Sequence, residues 1–115
     1  MSHAGSDLTR SQAIDREVRA WPDVSGHPHR FGGTEYRLGK REIGHVHGES
    51  LVDVPLPRAL RDELVAAGLA RPHHILPGSG WVSEPLRAPD DVVQALAILR
   101  QSYDLACAQR EKRRR

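Results

Sequence analysis

The run Arg41-Glu42-Ile43-Gly44-His45-Val46-His47-Gly48-Glu49-Ser50-Leu51-Val52-Asp53-Val54-Pro55 carries two β-strands in its pattern. Apolar residues recur on both sides of Gly48-Glu49, a connection in which glycine supplies the positive φ that a tight hairpin turn demands. Alternation in an extended strand sets Ile43, His45 and His47 on one face and Glu42, Gly44 and Val46 on the other. On the next strand Leu51 and Asp53 oppose Val52 and Val54. Gly39-Lys40 is a second turn of the same kind. Thr34–Leu38, Arg41–His47 and Ser50–Pro55 therefore read as an antiparallel meander.

The flanking segments read as helices and one further hairpin. Leu8, Ile14, Val18 and Trp21 fall near one face of a helix from about Ser6 to Trp21, which Pro22 stops. Residues 22–33 hold two prolines and three glycines and read as a loop carrying His27, His29 and Phe31. After the meander, Pro57 suits a first helical turn, and Leu60, Leu64 and Val65 form a stripe that ends at Gly68. His73–Leu76 and Gly80–Leu86 read as a hairpin around Pro77-Gly78-Ser79-Gly80. A last helix opens at Pro89-Asp90-Asp91, whose acids complement the helix dipole, and Val92, Leu96, Leu99, Tyr103 and Ala106 give it a buried stripe to about Gln109. The expected fold is α+β: an antiparallel sheet of about five strands packed against two or three helices, chiefly those at 57–68 and 89–109.

Composition bounds the function. The chain has 115 residues, 17 Lys+Arg against 15 Asp+Glu, and a formal net charge of +2. That length is one domain, too short for a (β/α)₈ barrel or a full dinucleotide-binding domain. Residues 110–115 hold five basic residues and one Glu, so they carry +4 and residues 1–109 carry −2. The expected organisation is an N-terminal helix with a flexible start over 1–20, an α+β domain over 21–109, and a disordered basic tail over 110–115. Basicity thus belongs to the tail and argues little for nucleic-acid binding by the folded body. A single cysteine, Cys107, excludes an intrachain disulfide and a cysteine zinc cluster, so a cytoplasmic setting is expected. No apolar leader or membrane-length stretch is present in the sequence.

Histidine is the informative excess, with seven in the chain. His45-x-His47 in a strand offers two imidazoles from one face, which suits a transition metal, and Asp53, Glu42 or Glu49 is available to complete a site. Of the adjacent pair His73 and His74, a strand would direct only one towards the same face. Imidazole with a carboxylate also suits acid/base catalysis near neutral pH. No nucleophile elbow, reactive cysteine or phosphate-binding P-loop is present. The leading expectation is a polar pocket formed by His45, His47, Asp53, His73, His74 and Trp81 that binds a small molecule. A metal- or His/carboxylate-dependent enzyme at the same residues is the alternative. Nucleic-acid binding through Arg37, Lys40 and Arg41 with the basic tail is the third reading; Glu35, Glu42 and Glu49 interleave with those cations and break a continuous basic stripe.

Arg41–Gly48, Asp53-Val54-Pro55-Leu56-Pro57-Arg58, His73-His74-Ile75-Leu76-Pro77, Ser79-Gly80-Trp81-Val82-Ser83 and the closing Leu99-Arg100-Gln101-Ser102-Tyr103 resemble, in order, the luciferase-domain family. This is a family of small bacterial and fungal proteins, most of them uncharacterised, and the resemblance covers roughly Trp21 to Leu105. It implies the fold rather than light emission, because flavin-dependent bacterial luciferases are barrels far longer than this chain. The order of elements is also similar, at the level of fold, to the double-wing proteins of the MmcQ/YjbR type with their frataxin-like architecture.

Overall fold

The computed structural model describes residues 8–29 and 32–114. Helix α1 (Arg10–Arg19) leads into strands β1 (Val24–Pro28), β2 (Thr34–Leu38), β3 (Arg41–His47) and β4 (Leu51–Pro55). Helix α2 (Arg58–Ala66), strands β5 (Arg71–Pro72) and β6 (Trp81–Pro85), and helix α3 (Pro89–Arg113) complete the chain. All six strands join one antiparallel sheet in the order β1-β2-β3-β4-β6-β5. The fold is α+β, and the sixth strand beside the five expected is β1. Among the described residues no helix is long and apolar enough to cross a membrane.

Helices α1 and α3 pack together on one face of the sheet, and that face holds the core. Tyr36, Leu38, Val46, Val52, Val54 and Val82 from the strands meet Ile14 and Val18 of α1 and Ile98, Leu99 and Tyr103 of α3. Gly44 marks the closest approach, since a Cβ there would lie 2.4 Å from Leu99 Cδ2. Tyr36, opposite Gly44 in the register, sends its hydroxyl to Asp15 of α1 at 2.7 Å. Thr9 and Gln12 cap α1 reciprocally, and Asp91 accepts the backbone N–H groups of Arg87 and Ala88 ahead of α3. Burying about ten aliphatic side chains at roughly 1.5–3 kcal/mol each supplies the main driving force.

Several elements differ from the expectation, each for a physical reason. The segment read as a loop over 22–33 contains β1, which pairs with the free edge of β2 from Val24↔Leu38 to Pro28↔Thr34. Main-chain pairing to an open edge overrides the weak strand propensity of Val-Ser-Gly-His-Pro. Phe31 and the proposed start of the first helix, residues 6–7, lie outside the described residues. Only Arg71 and Pro72 pair with β6 ahead of the second turn, so His73–Leu76 is a loop, not a strand. Helix α3 continues to Arg113, which makes residues 110–113 its last turns instead of a disordered tail. Cations in that turn offset the negative end of the dipole, and Arg110 reaches Asp23 at 3.1 Å.

The alternation of β3 is broken as well. The register shifts between Tyr36 and Arg37, pairing them with Gly44 and Glu42 and leaving Ile43 as the extra residue. Ile43 is wholly buried in the core, and Glu42, expected opposite His45, shares its side of the sheet and reaches its ring. Beyond the bulge the pairing is regular. A row of directly opposed residues crosses the sheet from His27 through Glu35, His45, Asp53 and Ser83 to Arg71. This polar row lies on the face away from α1 and α3, and the 73–80 loop folds over its middle.

A histidine cluster around Asp53

Asp53 sits at the centre of the polar row, 1% exposed. Its Oδ1 accepts the Ser83 hydroxyl at 2.6 Å from the neighbouring strand. Its Oδ2 is met by four imidazole Nε2 atoms: His47 at 2.8 Å, His74 at 3.1 Å, and His45 and His73 at 3.3 Å. His45 and His47 come from β3 with the i,i+2 spacing that points both side chains to one face. The opposed pair His45↔Asp53 brings the carboxylate under them. His73 and His74 arrive from the loop, which is held by His74 N–H donating to Ser83 Oγ at 3.0 Å and by Arg61 of α2 donating to the Pro77 carbonyl. Because the loop is free of strand alternation, both neighbours reach the same carboxylate.

Hydrogen bonds at the far side of each ring separate the histidines by role. His73 Nδ1 accepts the backbone N–H groups of Ile75 and Leu76 at 3.2 and 3.0 Å. Its proton therefore sits on Nε2 and points at Asp53, which makes His73 a donor to the carboxylate. His45 Nδ1 lies 2.5 Å from Glu42 Oε2, a carboxylate that fixes the ring and turns Nε2 inward. His45 Nε2 and His47 Nε2 are 3.0 Å apart. His29, just beyond β1, stacks on His45 with centroids 4.1 Å apart and planes 18° apart. Trp81 closes the side between His45 and His73, with ring centroids 5.4 and 6.1 Å away.

The electrostatics follow from this crowding. Burial pulls the His45 imidazolium down, but its bonds to Asp53 and Glu42 outweigh that and lift its pKa to about 9. Burial pushes the Asp53 carboxyl up, and hydrogen bonds from His45, Ser83 and His47 reverse this and hold it well below the usual carboxylate range. His29 and His73 are both pulled down, chiefly by burial, with the nearby imidazoles adding to it. The centre thus holds an ionised Asp53 beside a His45 that favours its proton, with His29 and His73 biased towards the neutral ring.

Two sets of three donors have the spacing to hold an ion: His47, Asp53 and His74, and His29, His45 and His47. Donor pairs at about 2.1 Å from one ion lie roughly 3.0 Å apart at right angles and 3.4 Å apart in a tetrahedron. The 2.8 and 3.1 Å separations of Asp53 Oδ2 from His47 and His74 are close to that range. Both sets use His47, so they are alternatives for one ion.

All six residues of the expected pocket, His45, His47, Asp53, His73, His74 and Trp81, come together. Glu42, Ser83 and His29 join them. Glu42, a candidate to complete the site that simple alternation places on the other face, is brought across by the bulge, and Ser83 has no signal beyond its place in the strand. His29 is separated from His45 by two strand connections, and only its residue type pointed to it. Glu49 lies elsewhere, accepting the Ser11 backbone N–H at 3.0 Å. The cations of the nucleic-acid reading divide: Arg37 pairs with Glu35 at 2.6 Å, whereas Lys40 and Arg41 stand beside the end of α3.

The family model described as luciferase domain matches residues 40–102, more than half of the chain. The match takes in every residue of the cluster except His29. No curated protein and no solved structure gives a significant match.

Proposed function

The chain belongs to the luciferase-domain family, and we propose that it is a metal-binding domain of that family, in which His47, Asp53 and His74 hold one divalent transition ion. A small oxygen-donor ligand would complete the coordination of such an ion. The observation that carries this reading is the approach of four imidazole nitrogens to a single oxygen of Asp53. A carboxylate oxygen offers about two lone-pair positions, so hydrogen bonding alone leaves the cluster over-supplied with donors. An ion among them turns surplus donors into ligands.

The surrounding groups suit that role. Ser83 fixes the second oxygen of Asp53, and Glu42 orients the adjoining His45 ring. His73 keeps its proton towards Asp53 and steadies the carboxylate without ligating. A bound ion of this kind supplies Lewis-acid polarisation to an oxygen of the small ligand. The small-molecule reading and the metal-dependent reading therefore share one location.

The test is elemental analysis of the purified chain, with reconstitution by zinc, iron(II) and nickel in turn. About one equivalent of one of these metals is expected, and His47→Ala with His74→Ala should weaken its binding at least about tenfold while the fold persists. A folded protein that stays metal-free after all three reconstitutions overturns the reading.

A further inference from the structure

A concavity rimmed by basic side chains lies away from the histidine cluster, where the β2–β3 turn meets the last turn of α3. The cavity is about 220 Å³, floored by Leu38 and Ala106 and lined by Lys40, Arg41, Arg110 and Arg113. We propose that it is a binding site for the phosphate group of a small phosphorylated molecule.

Four cations from two segments some seventy residues apart converge on it, and the helix dipole explains only part of this. Arg110 and Arg113 complement the carbonyl end of α3, but Lys40 and Arg41 belong to a different element. Among the described residues, Lys40, Arg41 and Arg113 have no carboxylate within ion-pair distance. Arg41 donates instead to the neutral side chain of Gln109. Arg110 alone is paired, with Asp23 at 3.1 Å, and its enclosed Nε has no partner. Like charges gathered in one concavity repel, and a bound anion converts that repulsion into attraction. Guanidinium groups at the rim offer paired N–H donors, which suit the oxygens of a phosphate. The concave shape and apolar floor favour a discrete phosphate group over an extended backbone. The neighbouring Arg37 is taken up by Glu35, so the basic surface does not continue as a stripe.

Calorimetric titration of the full chain with inorganic pyrophosphate tests the proposal. Metal-free, chelator-free protein should be used, so that no ion in the histidine cluster binds the probe. Saturable binding is expected, and Lys40→Ala with Arg113→Ala, both exposed positions, should weaken it at least about tenfold without changing the unfolding midpoint. Absence of binding at about 50 mM salt, or equal affinity in the double variant, overturns the proposal. A shallow salt dependence, of the kind a small anion without a condensed counterion atmosphere gives, supports a small phosphorylated ligand. A much steeper slope with tighter binding to a short DNA duplex assigns the phosphates to nucleic acid and overturns the small-molecule source. Because the variants leave His47, Asp53 and His74 intact, this result is independent of the metal reading.

Discussion

Replacing Asp53 by Asn should remove most of the pH dependence of stability between pH 7 and 9 in metal-free protein. The His45 pKa rises from 6.5 to about 9 on folding. A raised histidine stabilises the fold fully below about pH 6.5, and that contribution is lost as the pH climbs through about 9. At about 1.36 kcal/mol per pKa unit the whole effect is roughly 3 kcal/mol, of which about 2 kcal/mol falls between pH 7 and 9. This window is clear of the other perturbed groups near it. Glu84, raised from 4.5 to about 7, has imposed most of its penalty by pH 7 and adds only about 0.4 kcal/mol above it. His29 and His73, lowered by burial, act only on the acid side. Urea unfolding of chelator-treated, dialysed protein should show a midpoint lower at pH 9 than at pH 7 by about 1–2 M. Asp53→Asn takes away the leading attraction on the His45 proton, so the variant's midpoint should change by less than about half as much. A wild-type midpoint that is constant from pH 7 to 9, or an Asp53→Asn midpoint that declines as steeply, would refute the reasoning.

Two substitutions test other parts of the fold. Gly44→Ala places a methyl 2.4 Å from Leu99 Cδ2 and 3.1 Å from the Asp53 carbonyl oxygen, so thermal unfolding should report a loss of about 1–3 kcal/mol. Glu84 is 5% exposed with an unpartnered Oε1, and burial is the main cause of its raised pKa. Glu84→Gln should leave stability near that of the wild type at pH 4.5 and exceed it by about 3 kcal/mol at pH 8, as measured by urea unfolding; an advantage that does not grow with pH counts against a buried, uncompensated carboxylate.

Much of the architecture was legible because it depends on neighbours in sequence. Gly39 and Gly48 adopt φ of 63° and 51° in the two meander turns, as their positions between apolar runs required. Strands β2, β3 and β4 fall within a residue of the pattern. The buried face of α3 is centred slightly to one side of the predicted stripe. Ala95, Ile98 and Ser102 are buried alongside Leu99, Tyr103 and Ala106, because the helix lies across several strands and buries a face wider than one row. Strand β1 was not legible, since its partner is an edge that exists only after the meander has formed.

The luciferase-domain resemblance rested on local motifs and is matched over residues 40–102. That His45 and His47 share a face was settled by the covalent geometry of an extended chain, which is the same wherever the strand sits. That Asp53 lies beneath them was settled by inter-strand register, which is fixed by burying Val46, Val52 and Val82 against α1 and α3. The arrival of Glu42 needed a bulge, and the arrival of His29, His73 and His74 needed a paired edge and an anchored loop. Those are non-local contacts with no period in the sequence. The sequence alone thus determined that His45 and His47 share a face and that His73 and His74 are neighbours, and the tertiary structure alone decided that the pairs meet around one buried carboxylate.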